Sequence, residues 1–141
     1  MTSKLKRFKN LIAIKVDGET QKPDMDLVIY GKDGNYQPKN IMIISLKTSL
    51  RERAGQTYKW KLLLEIATIN NPIKDKYKIQ YPLNKTPLVC FATTNFYDEI
   101  NQPQHKGMLQ FFDKSFIGKP MKFDFIDNLS NLIDYANDKL A

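Results

Sequence analysis

Cysteine and histidine each occur once in this chain of 141 residues, as Cys90 and His105. A single cysteine excludes an internal disulfide and a cysteine-built metal cluster, and it suits a reducing cytoplasm. A single histidine excludes zinc held by paired histidines and any scheme with two histidines as acid and base. His105 reads as a surface residue. Long apolar runs are missing as well: none approaches the ~18 residues of a membrane span. The basic start MTSKLKRFKN is followed by LIAI, too short for a signal peptide and without a small-residue cleavage site after it. No membrane partner is therefore expected. Acidic side chains are also scarce, 15 against 22 lysines and arginines, for a net charge of +7.

What is present suits a core of ordinary size, with 42% hydrophobic and 11% aromatic residues. Length and the lack of repeats, low-complexity tracts or a long linker predict one domain over residues 1–141. The positive excess favours a polyanionic partner, nucleic acid first, with a merely solvated basic surface as the plain alternative. Basic residues recur all along the chain, including Arg51, Arg53, Lys59 and Lys61, unlike a basic tail.

The pattern predicts a short helix over 3–9, then strands over 11–16, 26–30 and 41–47. The cluster GKDGN at 31–35 makes the second and third an antiparallel hairpin. Thr48 or Ser49 can cap a helix over about 50–69, with Glu52 at capping-box spacing from Ser49 and Asn70-Asn71-Pro72 stopping it. Residues 71–86 read as a polar connection. The run PLVCFAT (87–93) reads as a strand covered on both faces. A helix over 103–112, a strand over 114–117 and a helix over 126–140 complete the order. The fold class is α/β: a central mixed β-sheet flanked by helices.

Chemistry gathers at one end of the hairpin. With a strand's period of two, Asp24 and Asp26 share a face, as do Ser45 and Lys47. In an antiparallel hairpin the start of one strand lies beside the end of the next, so the aspartates and Lys47 can meet. On the following helix Ser49, Glu52, Gln56 and Trp60 fall in one sector. Carboxylates of this kind hold Mg²⁺, a hard cation that prefers oxygen. Bound metal polarises a phosphate and acidifies a water, and a lysine beside it stabilises developing negative charge. Each residue also has a plain reading: Asp24 as a turn residue, Lys47 as a strand-end lysine, Glu52 as a capping acid, Arg51 and Arg53 as surface charge rather than phosphate contacts. Trp60 and Tyr58 read as packing more than base stacking.

Pro23-Asp24, then Ser45-Leu46-Lys47, resembles the PD-(D/E)xK nuclease superfamily, and KTSLRER (47–53) with Gln56 resembles its type II restriction endonucleases more closely. Ala54 stands where an aromatic is common. GMLQFFDKSFIG (107–118) is similar to a late helix and strand of those enzymes, so the resemblance covers roughly residues 20–118. It implies a restriction-endonuclease-like core, double-stranded DNA as substrate, Mg²⁺ as cofactor, 5′-phosphate and 3′-hydroxyl ends, a homodimer on a symmetric target, and the cytoplasm of a bacterial or archaeal cell. By position it implies Asp24 as metal-binding aspartate, with Asp26 as rival, Lys47 as catalytic lysine and the Leu46 carbonyl as a further metal ligand. Arg51, Arg53 and Lys59 are the expected DNA contacts. The chain departs from the pattern at Ser45, where the family usually has an acid. Glu52 is the expected replacement, Glu65 the second choice. A repair- or resolvase-type nuclease on the same fold, and a DNA-binding module with a decayed site, fit the same residues.

Overall fold

The computed structural model describes residues 12–22, 25–35, 38–47, 51–94, 103–118 and 126–141. The helix expected over 3–9 lies outside them, as do the capping residues Thr48 and Ser49. The chain forms two compact units.

The first unit holds the hairpin β1 (Ile14–Val16) and β2 (Glu19–Gln21) together with the chain from Trp60 to Thr86. The break expected at Asp17-Gly18 is this hairpin's turn: both residues take positive φ, 50° and 84°, as a tight primed turn requires. The strand expected over 11–16 is thus shorter, and it pairs with a neighbour that the sequence pattern does not announce, since Glu19-Thr20-Gln21 has no apolar alternation. Helix α1 (Arg51–Thr68) contributes its residues from Trp60 onward to this unit. Asn71 closes α1 and opens α2 (Pro72–Lys76): its Nδ2 donates to the carbonyls of Ile66 and Ile69, 2.9 and 2.7 Å away, and its Oδ1 accepts from Lys74 N–H. Pro72 sits in the first turn, where its missing N–H costs nothing. The connection expected over 71–86 therefore contains a short helix.

The second unit is built on a five-stranded sheet ordered β3 (Leu27–Lys32), β4 (Pro38–Lys47), β5 (Leu88–Thr93), β6 (Lys114–Ile117), β7 (Ile126–Asn128). β3 and β4 pair antiparallel, as expected from the turn cluster, and β4 through β7 are parallel. This is the mixed sheet that the sequence predicts. β5 has parallel neighbours on both sides, which explains its unbroken apolar run. One sheet face, formed by Met42, Ile44, Cys90, Ala92 and Phe116, packs with Ala136 and Leu140 of α4 (Leu132–Leu140). On this unit's helix α3 (Pro103–Phe111) the carbonyl of Leu109 accepts from the Ser115 hydroxyl on β6, and Phe112 just beyond the helix stacks on Phe91 at 5.4 Å.

The helix expected over 126–140 begins later. Ile126 pairs with Ser115 in the sheet, and Oδ1 of Asp127 accepts from Asn128 N–H and Asn131 Nδ2. Those bonds, Asn131 foremost, hold the Asp127 carboxyl below its usual range. Local side-chain bonding of this kind competes with helix, and a single 3₁₀ turn (Leu129–Asn131) leads into α4.

Candidate active site at the end of β4

Why β4 ends on lysine is answered by its pairing. Ile41, Ile43 and Ser45 are buried on the face opposite α4's cluster, and Lys47 continues that face by the strand's period of two. The lysine side chain is only 9% exposed. A buried ammonium needs partners, and Asp26 is one: its Oδ2 lies 3.2 Å from Lys47 Nζ. The same oxygen accepts from the backbone N–H of Leu46 at 2.8 Å. The N–H of Asp26 in turn donates to the Ile44 carbonyl at 3.3 Å, extending the β3–β4 ladder past Leu27. Thr93, buried, stands beside Lys47 in the parallel β4–β5 register.

Ser45 occupies the position of the missing acid, and it is buried. Its Oγ accepts from the hydroxyl of Thr57, one of the α1 residues of this unit, at 3.0 Å. Helix α1 therefore meets the sheet here through Thr57, with Ala54 one turn before it also buried. Thr57 is a residue that sequence reading missed. Its signal is the spacing from Ala54, one helical turn before it, on a different stripe from Gln56, which is exposed. Lys59 is exposed too, and Trp60 is half-buried. Tyr58 packs against Phe111 with ring centroids 4.7 Å apart, the packing role expected of it.

Several expected site residues fall outside what the structure describes. Asp24 is one, as are the side chains of Arg51, Glu52 and Arg53; the side chain of His105, expected at the surface, lies outside it too. Glu65, the second choice for the missing acid, forms an ion pair with Lys61 one turn before it, a lysine only 4% exposed. Leu46 is exposed. Among the described residues no three His, Cys, Asp or Glu side chains gather as a metal site. Of the expected acids, the structure thus brings Asp26 to Lys47. Asp26 is 35% exposed and presents a hard oxygen donor of the kind Mg²⁺ takes. It suits such an ion in chemistry but supplies one carboxylate only.

Among the described residues no helix is long and apolar enough to cross a membrane. Compared with known proteins, the chain matches the family model described as BsaWI restriction endonuclease type 2 over residues 3–138. It is also 38% identical over 74 residues to "Putative type II restriction enzyme MjaVIP" of Methanocaldococcus jannaschii. That match takes in 52% of this chain and 32% of the relative, so the aligned part spans about a third of the relative's length.

Proposed function

The chain belongs to the BsaWI type 2 restriction endonuclease family, and from that premise we propose that it hydrolyses double-stranded DNA at a specific sequence, with Mg²⁺, leaving 5′-phosphate and 3′-hydroxyl ends. The observation that carries this reading is the sequestered Lys47 ammonium held 3.2 Å from the Asp26 carboxylate at the end of a buried strand. A fixed cation at a strand terminus is preorganised to meet a phosphate oxygen as negative charge grows on it.

In this reading Asp24, Asp26 and Glu52, with the Leu46 carbonyl, hold the metal. When bound, Mg²⁺ polarises the scissile phosphate and lowers the pKa of a water. Lys47 orients the attacking water or steadies the oxyanion, and Asp26 keeps its ammonium in place. Gln56 assists at the same end of α1. Ser45 acts through Thr57, tying helix to strand so that Lys47 keeps its position. Arg51, Arg53 and Lys59 contact DNA phosphates, which orient the duplex without reading sequence. Two copies acting on a two-fold symmetric site give the double-strand cut. Residues 1–141 act as one nuclease domain in the cytoplasm of a bacterial or archaeal cell.

The test is cleavage of supercoiled and linear phage DNA with Mg²⁺ or with EDTA, alongside Lys47→Ala. Discrete Mg²⁺-dependent bands are expected, and Lys47→Ala is expected to slow their formation by about 10²–10³-fold, the usual effect of removing one oxyanion-stabilising group. A smear, or attack confined to ends, replaces this reading with the repair type. Binding without cleavage replaces it with a binding module in which Ser45 marks a lost acid.

A further inference from the structure

A cavity of about 620 Å³ lies in the first unit, and none of the roles above uses it. Lys15 of β1, Thr20 of β2, Lys74 of α2, Gln80 and Tyr81 are among the residues that line it. The walls are tied together by the backbone. Lys15 N–H donates to the Gln80 carbonyl at 2.9 Å, and Gln80 N–H returns a bond to Lys15 at 2.8 Å. With those backbone groups satisfied by each other, the side chains are what the cavity offers a ligand.

Among the described residues that line it, none is acidic. Two lysines lining one cavity, with no carboxylate among its described lining residues, repel each other when both reach it, and a bound anion relieves that repulsion. The remaining lining suits the organic part of such an anion. Tyr81 is half-buried, and burial pushes its phenol well above the ordinary value, so it stays a protonated donor. Gln80 supplies an amide that can donate and accept, and Pro82 and Ala13 add apolar surface. The volume falls in the range of roughly 300–1,000 Å³ typical of small-molecule sites.

We propose that this cavity takes one phosphorylated nucleotide, its phosphate on Lys15 and Lys74 and its base against Tyr81, with Gln80 bonding the base edge. The preferred source, a nucleotide unit of a DNA strand, rests on the nuclease reading. A free nucleoside 5′-monophosphate carries the same chemistry.

The test uses the full chain in the Lys47→Ala form, so that strand scission does not disturb binding. Duplex DNA is titrated at several salt concentrations, and dAMP, dCMP, dGMP and TMP are titrated calorimetrically. The double variant Lys15→Gln/Lys74→Gln is compared with Lys15→Arg/Lys74→Arg and with Tyr81→Phe, each first shown by circular dichroism to be folded. The glutamine variant is expected to weaken DNA binding and to lower the slope of log affinity against log salt by about 1, since both lysines meet one phosphate. The arginine variant is expected to restore both. Loss of monophosphate binding in the glutamine variant, with DNA binding unchanged, assigns the cavity to free nucleotides. Equal binding of every probe by parent and glutamine variant overturns the proposal, as does no binding of any probe by the parent. Cleavage by the wild-type chain is scored separately, so failure of the nuclease reading is distinguishable from failure of this one.

Discussion

Asp26 does two jobs with one oxygen: Oδ2 accepts from the Leu46 amide and faces the Lys47 ammonium. Asparagine can still accept from the amide but cannot balance the ammonium. Because Asp26 is 35% exposed, solvent screens the pair, and Asp26→Asn is expected to cost no more than about 1 kcal/mol of stability. Its effect on the reaction is expected to be larger: a cleavage rate lowered at least about tenfold and a higher Mg²⁺ requirement, read from a Mg²⁺ titration of the rate. An unchanged Mg²⁺ requirement would remove Asp26 from the metal ligands and leave it a positioning residue. Thr57 behaves differently because its hydroxyl is buried. Thr57→Val keeps shape but deprives Ser45 Oγ of its donor, so a loss of about 1–3 kcal/mol is expected in urea unfolding. Neither residue could be ranked from sequence. Sequence names Asp26 as the rival of Asp24 near Lys47 without choosing between them, and it does not single out Thr57; contact with β4 distinguishes each.

At the scale of elements, β3 and α4 meet at a glycine. A Cβ on Gly31 would collide with the carbonyl oxygen of Leu140 and lie 3.1 Å from its carbonyl carbon. Gly31 also marks the register shift between Tyr30 and Lys32 on β3. Backbone cannot yield as a flexible side chain can, so Gly31→Ala is expected to cost about 1–3 kcal/mol or more, seen as a lowered thermal midpoint. Gly34→Ala is a fitting control, since nothing lies within 4 Å of its added methyl. In sequence both glycines belong to one turn cluster, and that is a correct reading of Gly34. The need for Gly31 comes from the far end of the chain. The hairpin, β5 and the stop at Asn71-Pro72 were legible because local chemistry decides them: turn formers, continuous apolar content, a cap and a missing N–H. The pairing of β2, and of Ile126 with Ser115, was not legible, because short strands gain their stability from neighbours.

For the whole molecule, unfolding ties these contacts to pH. Tyr135 is half-buried under Phe116, at 5.6 Å in an edge-to-face contact, and its hydroxyl reaches the Asp113 carbonyl at 3.4 Å. Burial, with smaller contributions from Cys90, Asp113 and Asp138, pushes its pKa up from 10.0 to about 12. The folded chain therefore holds this proton where the unfolded chain releases it. Stability from Tyr135 is fully present below pH ~10 and is lost as pH rises toward ~12. Urea midpoints are expected to fall across that window, and Tyr135→Phe is expected to flatten the fall.

The sequence by itself determined the class of the sheet, its hairpin, the basic excess that points to nucleic acid, and the strand end where Lys47 stands. These follow from residue chemistry repeated at fixed short spacings. Only the tertiary structure decided that Asp26 places a carboxylate at Lys47, that Ser45 is met by Thr57, that Gly31 makes room for Leu140, and that Lys15 and Lys74 line one cavity. Each of those depends on two stretches far apart in the chain coming within a few ångströms. No local periodicity carries that distance, because packing sets it.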